Sequence, residues 1–133
     1  MKRNFLSSLA SAVLLAALAY PAFAHHSMSA YDQSHSVNLK ATITSFDWTN
    51  PHVQIHFDAR DDNGNVSSWM AECPSPNRLA KAGWSAESLK PGDEVSITGN
   101  PAKDGAKEMR LVQVALANGE QLRAYGARRS SFF

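Results

Sequence analysis

The chain of 133 residues carries 13 Lys and Arg against 12 Asp and Glu, with 44% apolar residues and one cysteine. That length suits one domain and not two, and a formal net charge of +1 offers no basic field to attract a phosphate backbone, so no nucleic-acid partner is expected. Cys73 stands alone, so no internal disulfide can form and the fold must rest on its core.

Lys2 and Arg3 give a positive start, Phe5 to Ala19 is mostly apolar, and Ala22-Phe23-Ala24 has the small-x-small pattern that signal peptidase cleaves. Residues 1–24 are therefore expected to be a secretory signal peptide. An apolar stretch of about 15 residues falls short of the roughly 20 that a spanning helix needs, so no membrane span is expected after cleavage. The expected mature chain starts at His25 and has 109 residues. Lys2 and Arg3 are the only charges lost, which leaves 11 basic against 12 acidic residues and a formal net of −1.

Residues 25–36 show no periodicity and are expected to form an N-terminal arm. Val37, Leu39, Ala41 and Ile43 then share one face, with Asn38, Lys40, Thr42 and Thr44 on the other, the period of a half-buried strand. Phe46 and Trp48 fall on the opposite parity, which an extra residue near Ser45 would correct, so a bulge is expected there. After the Asn50-Pro51 bend, Val53, Ile55, Phe57 and Ala59 form the inward face of a second strand, with His52, Gln54, His56 and Asp58 outward. Asp61-Asp62-Asn63-Gly64-Asn65 is a hairpin signal leading to a third strand, Val66 to Cys73.

Ser75 is the expected N-cap of a short helix, with Pro76 at its first position, Asn77 to Ala82 continuing it, and Gly83 as a left-handed C-cap over which Trp84 folds back. Ser85 to Leu89 is expected to add a helical turn. A fourth strand around Val95, Ile97 and Gly99, a fifth from Met109 to Leu116, and a short one near Gln121 to Tyr125 after the Asn118-Gly119 turn complete the pattern. Residues 127–133 are expected to be a flexible tail. Three meandering strands, a helix and two more strands give an all-β class with one short helix: an OB-fold-like barrel of five to six strands over residues 37–126, in the order β1-β2-β3-α-β4-β5.

The segments HHSMSAYD, FDWTNPHVQIHFDARDDNGN, SSWMAECPSPNRLAKAGW, SLKPGDEVSITGNPAKDG and LANGEQL together resemble a bacterial exported family known only as a domain of unknown function. The resemblance spans essentially the whole mature chain, and the combination of WTNPHV with GW and LKPGD is what makes it specific. It implies a single-domain protein of the periplasm and brings no established activity. Cys73-Pro74 departs from the family pattern, so the resemblance lends Cys73 no thiol function.

All five histidines, His25, His26, His35, His52 and His56, lie in the first 32 residues of the expected mature chain. A freshly cut His25 offers its α-amine and ring Nδ1 to one metal, and His26 adds a further imidazole; an all-nitrogen, roughly planar set suits Cu(II). The amine titrates near 7.7–8.0 and imidazole near 6.5, so protons compete only modestly at neutral pH. Met28 adds a soft sulfur that favours Cu(I). His52 and His56 sit roughly 13 Å apart along a strand and cannot share an ion. His52, at the strand end, is the candidate extra ligand, and His56 is expected at the surface.

Glu72 lies in a strand among Trp69, Met70 and Cys73, where a carboxylate can act as a raised-pKa acid or a ligand. Trp48, Trp69, Trp84, Phe46 and Phe57 are expected to fill the core, with Trp48 left to face outward beside Asn50 and His52. Cys73 is expected to be a small buried residue, with pairing between chains as the alternative. No serine-nucleophile motif, phosphate-binding glycine loop or CxxC is present, which makes an enzyme the weakest class. The leading expectation is a periplasmic binding module holding copper through His25, His26 and His52. The alternative is a metal-independent adaptor for an envelope protein or small ligand, with Trp48, Asn50, His52 and Glu72 as contact residues.

Overall fold

A computed structural model describes residues 28–125; the expected signal peptide, His25, His26 and the 127–133 tail lie outside the described residues. The strands are β1 (Val37–Asp47), β2 (Gln54–Arg60), β3 (Val66–Glu72), β4 (Glu94–Pro101), β5 (Glu108–Leu116) and β6 (Gln121–Arg123), with one helix, α1 (Pro76–Lys81), between β3 and β4. The sheet runs β3-β2-β1-β4-β5-β6, and β3 also pairs with β5, in parallel, through Met70 to Glu72 against Glu108 to Arg110. That last pairing closes a five-stranded barrel with β6 added at its side, the small all-β barrel that the strand order predicts.

β1 is long because it serves both halves of the barrel. Val37 to Thr42 pair with β4, Ala41 to Asp47 pair with β2, and the register slips between Ile43 and Ser45, where the parity of the apolar residues also changes. The slip turns Phe46 to the same side as Ile43, and both Phe46 and Trp48 pack against the core. The core takes Ile43, Val53, Ile55, Phe57, Ile97, Met109, Leu111 and Val114, all essentially inaccessible to water. Gly99 faces β5 with no room for a side chain: a Cβ there would stand 2.5 Å from the Met109 sulfur and 2.7 Å from the Arg110 carbonyl oxygen.

The helix packs against the barrel core. Leu79 is its one buried residue and joins the main core, where burial of such a side chain contributes about 1.5–3 kcal/mol. Gly83, at φ 96, ends the helix in a left-handed turn, with its N–H bonded to the Ala80 carbonyl and the Trp84 N–H to the Leu79 carbonyl. This turn brings the Trp84 indole into the core, and its Nε1–H donates to the Arg123 carbonyl at 2.8 Å, tying the helix end to β6.

Ser75 is the N-cap, as expected, and its carbonyl accepts from Arg78 and Leu79, although its hydroxyl makes no capping hydrogen bond. Three local expectations need correction. Ser85 to Leu89 holds only a tight turn, with the Ser88 N–H on the Ser85 carbonyl, because the Ser88 hydroxyl takes the Ser85 N–H that a helix would leave pointing along its axis. β3 ends at Glu72 and α1 at Lys81, each one residue early, as Pro74 and Gly83 interrupt the regular backbone.

The arm joins the barrel from Met28 onward. A short 3-10 turn, Met28–Ala30, leads to Tyr31, which is 2% exposed. The Asp32 N–H bonds to the Pro101 carbonyl and the Lys103 N–H to the Ala30 carbonyl, both at 2.9 Å, so the arm lies across the β4–β5 connection.

Candidate functional site

At the barrel end where the arm crosses, a cavity of about 390 Å3 opens between the β1–β2 connection, the C-terminal end of β3, α1 and β5. Tyr31, His52, Glu72, Arg78, Arg110 and Tyr125 supply its polar groups, and Met28 stands at its rim. A larger, shallower groove of about 720 Å3 runs beside Lys40, Asp58, Arg60 and Glu94, but it holds none of the histidines or aromatic rings, and Lys40, Arg60 and Glu94 are solvated. The convergent chemistry is in the smaller cavity.

Backbone pairing sets this convergence. The Val53 N–H bonds to the Pro74 carbonyl and the Cys73 N–H to the Val53 carbonyl, which extends the β2–β3 ladder and carries His52 alongside Glu72 and Cys73. Glu72 is in turn opposite Gln54 on β2 and Arg110 on β5. Tyr31 reaches in from the arm, and its hydroxyl donates to Glu72 Oε2 at 2.7 Å. Burial first, and then the Glu72 carboxylate, pushes the Tyr31 hydroxyl well above the usual tyrosine range, so it remains a donor at any physiological pH.

His52 Nδ1 lies 3.1 Å from the Cys73 carbonyl oxygen and 3.7 Å from Glu72 Oε1. Both neighbours only accept, so Nδ1 is the donor, and Nε2 has no partner among the described residues. The Arg110 guanidinium sits 4.7 Å from the centre of the Tyr125 ring and donates to the Tyr125 hydroxyl. The cavity thus offers one imidazole nitrogen, one engaged carboxylate and two guanidinium groups.

The residues singled out by sequence separate here. His52 and Glu72 meet in the cavity, whereas Trp48 and Asn50 do not line it. Trp48 is half-buried, edge-on to Phe46 at 5.8 Å between ring centres, and Asn50 is exposed ahead of a cis bond to Pro51. His56 faces Asp47 at 3.3 Å and His35 faces Asp32 at 3.1 Å, both as surface pairs. Cys73 is 3% exposed, and burial, with the Glu72 charge behind it, pushes its thiol far up, so the pairing between chains considered above has no accessible sulfur. No trio of His, Cys, Asp and Glu able to hold a metal occurs among the described residues.

Tyr31, Arg78, Arg110 and Tyr125 did not emerge from the sequence. The available signal was topological: parallel closure of β3 on β5 places a β5 residue beside Glu72, and Arg110 is the basic residue in that register.

A family model described as a family of unknown function, DUF6152, matches residues 12–110, and the chain belongs to that family. No curated protein matches the chain.

Proposed function

We propose that this member of the family is a periplasmic binding module that holds Cu(II) at its mature N-terminus, with His52 as the ligand contributed by the barrel. One observation carries the reading: His52 is fixed through Nδ1 by the Cys73 carbonyl at 3.1 Å, which leaves Nε2 free to ligate. Metal-bound histidines commonly donate their other ring N–H to a carbonyl or carboxylate, which sets the tautomer and orients the ring. The Cys73 carbonyl is that partner, with the Glu72 carboxylate 3.7 Å away as a nearby charge.

The His25 α-amine and ring Nδ1, with His26, complete an all-nitrogen set of the kind that favours Cu(II) over other divalent ions. Reach supports it. Met28 stands on the rim of the cavity that contains His52, and the three residues from His25 to Met28 span at most roughly 10 Å. On this reading, signal cleavage creates the chelate, so the site exists only in the exported form.

The test begins with mass spectrometry of the exported protein to establish its first residue. Cu(II) titration and electron paramagnetic resonance then compare that protein with one carrying an extra N-terminal alanine and with His52→Ala. Tight stoichiometric binding is expected, with the extension removing the amine chelate and His52→Ala removing one nitrogen from the coupling pattern. Glu72→Gln, which keeps every ligand and weakens an orienting partner, should lower affinity by about tenfold. Equal binding by the native and extended chains would refute the chelate.

A further inference from the structure

We propose that the same cavity binds a small organic monocarboxylate with an apolar body, held by the guanidinium groups of Arg78 and Arg110. This proposal is independent of the copper reading, because it uses Arg78 and Arg110 rather than the histidines and needs no metal.

The first observation is a pair of cations without anions. The ion pairs among the described residues are His35 with Asp32, His52 with Glu72, and His56 with Asp47, so neither arginine has a carboxylate partner. Arg110 is all the more notable because Glu72 is its neighbour across the β3–β5 pairing. The Glu72 oxygens are turned elsewhere: Oε2 accepts from Tyr31 at 2.7 Å, and Oε1 faces His52 at 3.7 Å. The fold thus engages the neighbouring carboxylate with Tyr31 and His52 and leaves Arg110 without it.

The second observation is that Arg110 packs against an aromatic ring. Its guanidinium lies 4.7 Å from the Tyr125 ring centre and spends a donor on the Tyr125 hydroxyl. A guanidinium has five N–H donors in a flat fork that matches the two oxygens of a carboxylate, so open donors remain. A stacked, oriented guanidinium loses less freedom on binding than a solvated one. Arg78, on the exposed side of α1, brings a second positive charge to the cavity.

Charge and shape then select the ligand. Two arginines against Glu72 leave a net single positive charge, which suits a monoanion, while a dianion such as hydrogen phosphate would meet the Glu72 carboxylate without compensation. Met28 and Tyr125 are two of the four large apolar side chains exposed among the described residues, 56% and 43%, and both border this cavity. They provide the contact that an aliphatic or aromatic body needs. A volume of about 390 Å3 is near the lower end of small-molecule sites, which run from about 300 to 1,000 Å3.

The experiment uses protein purified after expression of the full chain and stripped of metal with a chelator, so that its outcome is separate from copper binding. Benzoate, its neutral analogue benzamide and inorganic phosphate are titrated and followed by heteronuclear NMR. Benzoate is expected to shift the amides around Arg78, Arg110 and Tyr125 and to saturate, with benzamide at least about tenfold weaker, since charged hydrogen bonds are lost. Arg110→Gln and Arg78→Gln should each weaken benzoate by about tenfold. Arg78 is solvent-exposed, so its variant keeps the test valid if the Arg110 variant loses stability. Equal affinity for benzoate and benzamide, tighter binding of phosphate, shifts confined to the Lys40–Glu94 groove, or unchanged benzoate affinity in the Arg78 variant would each overturn the proposal.

Discussion

Truncating Tyr31 in two steps tests whether the arm is an integral part of the barrel mouth. Tyr31→Phe removes only the hydroxyl, whose partner is Glu72 Oε2 at 2.7 Å. A hydrogen bond to a charged acceptor contributes about 1.5–3 kcal/mol, but the Glu72 side chain is 17% exposed, so water can replace part of it, and a loss of about 1–2 kcal/mol is expected. Tyr31→Ala also removes a ring that is 2% exposed, and buried aromatic truncations cost about 3–5 kcal/mol. For a domain of this size, about 4–8 °C in Tm accompanies each kcal/mol, so a drop of at least about 12 °C is expected for the alanine variant. Urea denaturation of Tyr31→Phe, Glu72→Gln and the double variant gives the coupling between the two groups, expected at about 1–2 kcal/mol. If the Phe and Ala variants both stay within about 0.5 kcal/mol of the native protein, the arm does not contribute to the fold and the cavity loses one wall.

The same pair predicts an alkaline instability. Burial and Glu72 hold the Tyr31 hydroxyl protonated in the fold well above the value of about 10 at which it ionises in the unfolded chain. Its stabilisation is therefore complete below that value and falls as pH rises beyond it, since only the unfolded state releases the proton. Urea midpoints on either side of pH 10 should show the loss in the native protein and less of it in Tyr31→Phe; identical slopes would contradict the assignment. Cys73, at 3% exposure and with its thiol pushed up, should resist thiol reagents until urea unfolds the chain, and rapid labelling of folded protein would show the core to be open there. Gly99→Ala should cost about 1–3 kcal/mol by overpacking, because the Arg110 carbonyl 2.7 Å from the new Cβ is backbone and cannot rotate aside. A Gly99→Ala protein with native stability would mean that β4 and β5 are further apart than described.

The sequence by itself determined the strands and most of their boundaries. Alternation along Val53 to Ala59 has period two only if one face is buried, Gly83 and Gly64 mark positions where the backbone takes positive φ, and the parity change after Ile43 announced the slip in β1. These are local signals, carried by neighbours a few residues apart. The His52 and Glu72 candidates also came from local features, a strand end and a carboxylate amid apolar residues. Tertiary structure alone decided what they touch. Closure of β3 on β5 set Arg110 beside Glu72, the extended β2–β3 ladder brought His52 to the Cys73 carbonyl, and the arm buried Tyr31 against a carboxylate 41 positions away. It also left Trp48 and Asn50 outside the cavity, although they are His52's neighbours in the chain. Spacing along a strand specifies which face a side chain occupies, but the partner it meets across the barrel depends on register and closure, which arise only when every strand is in place.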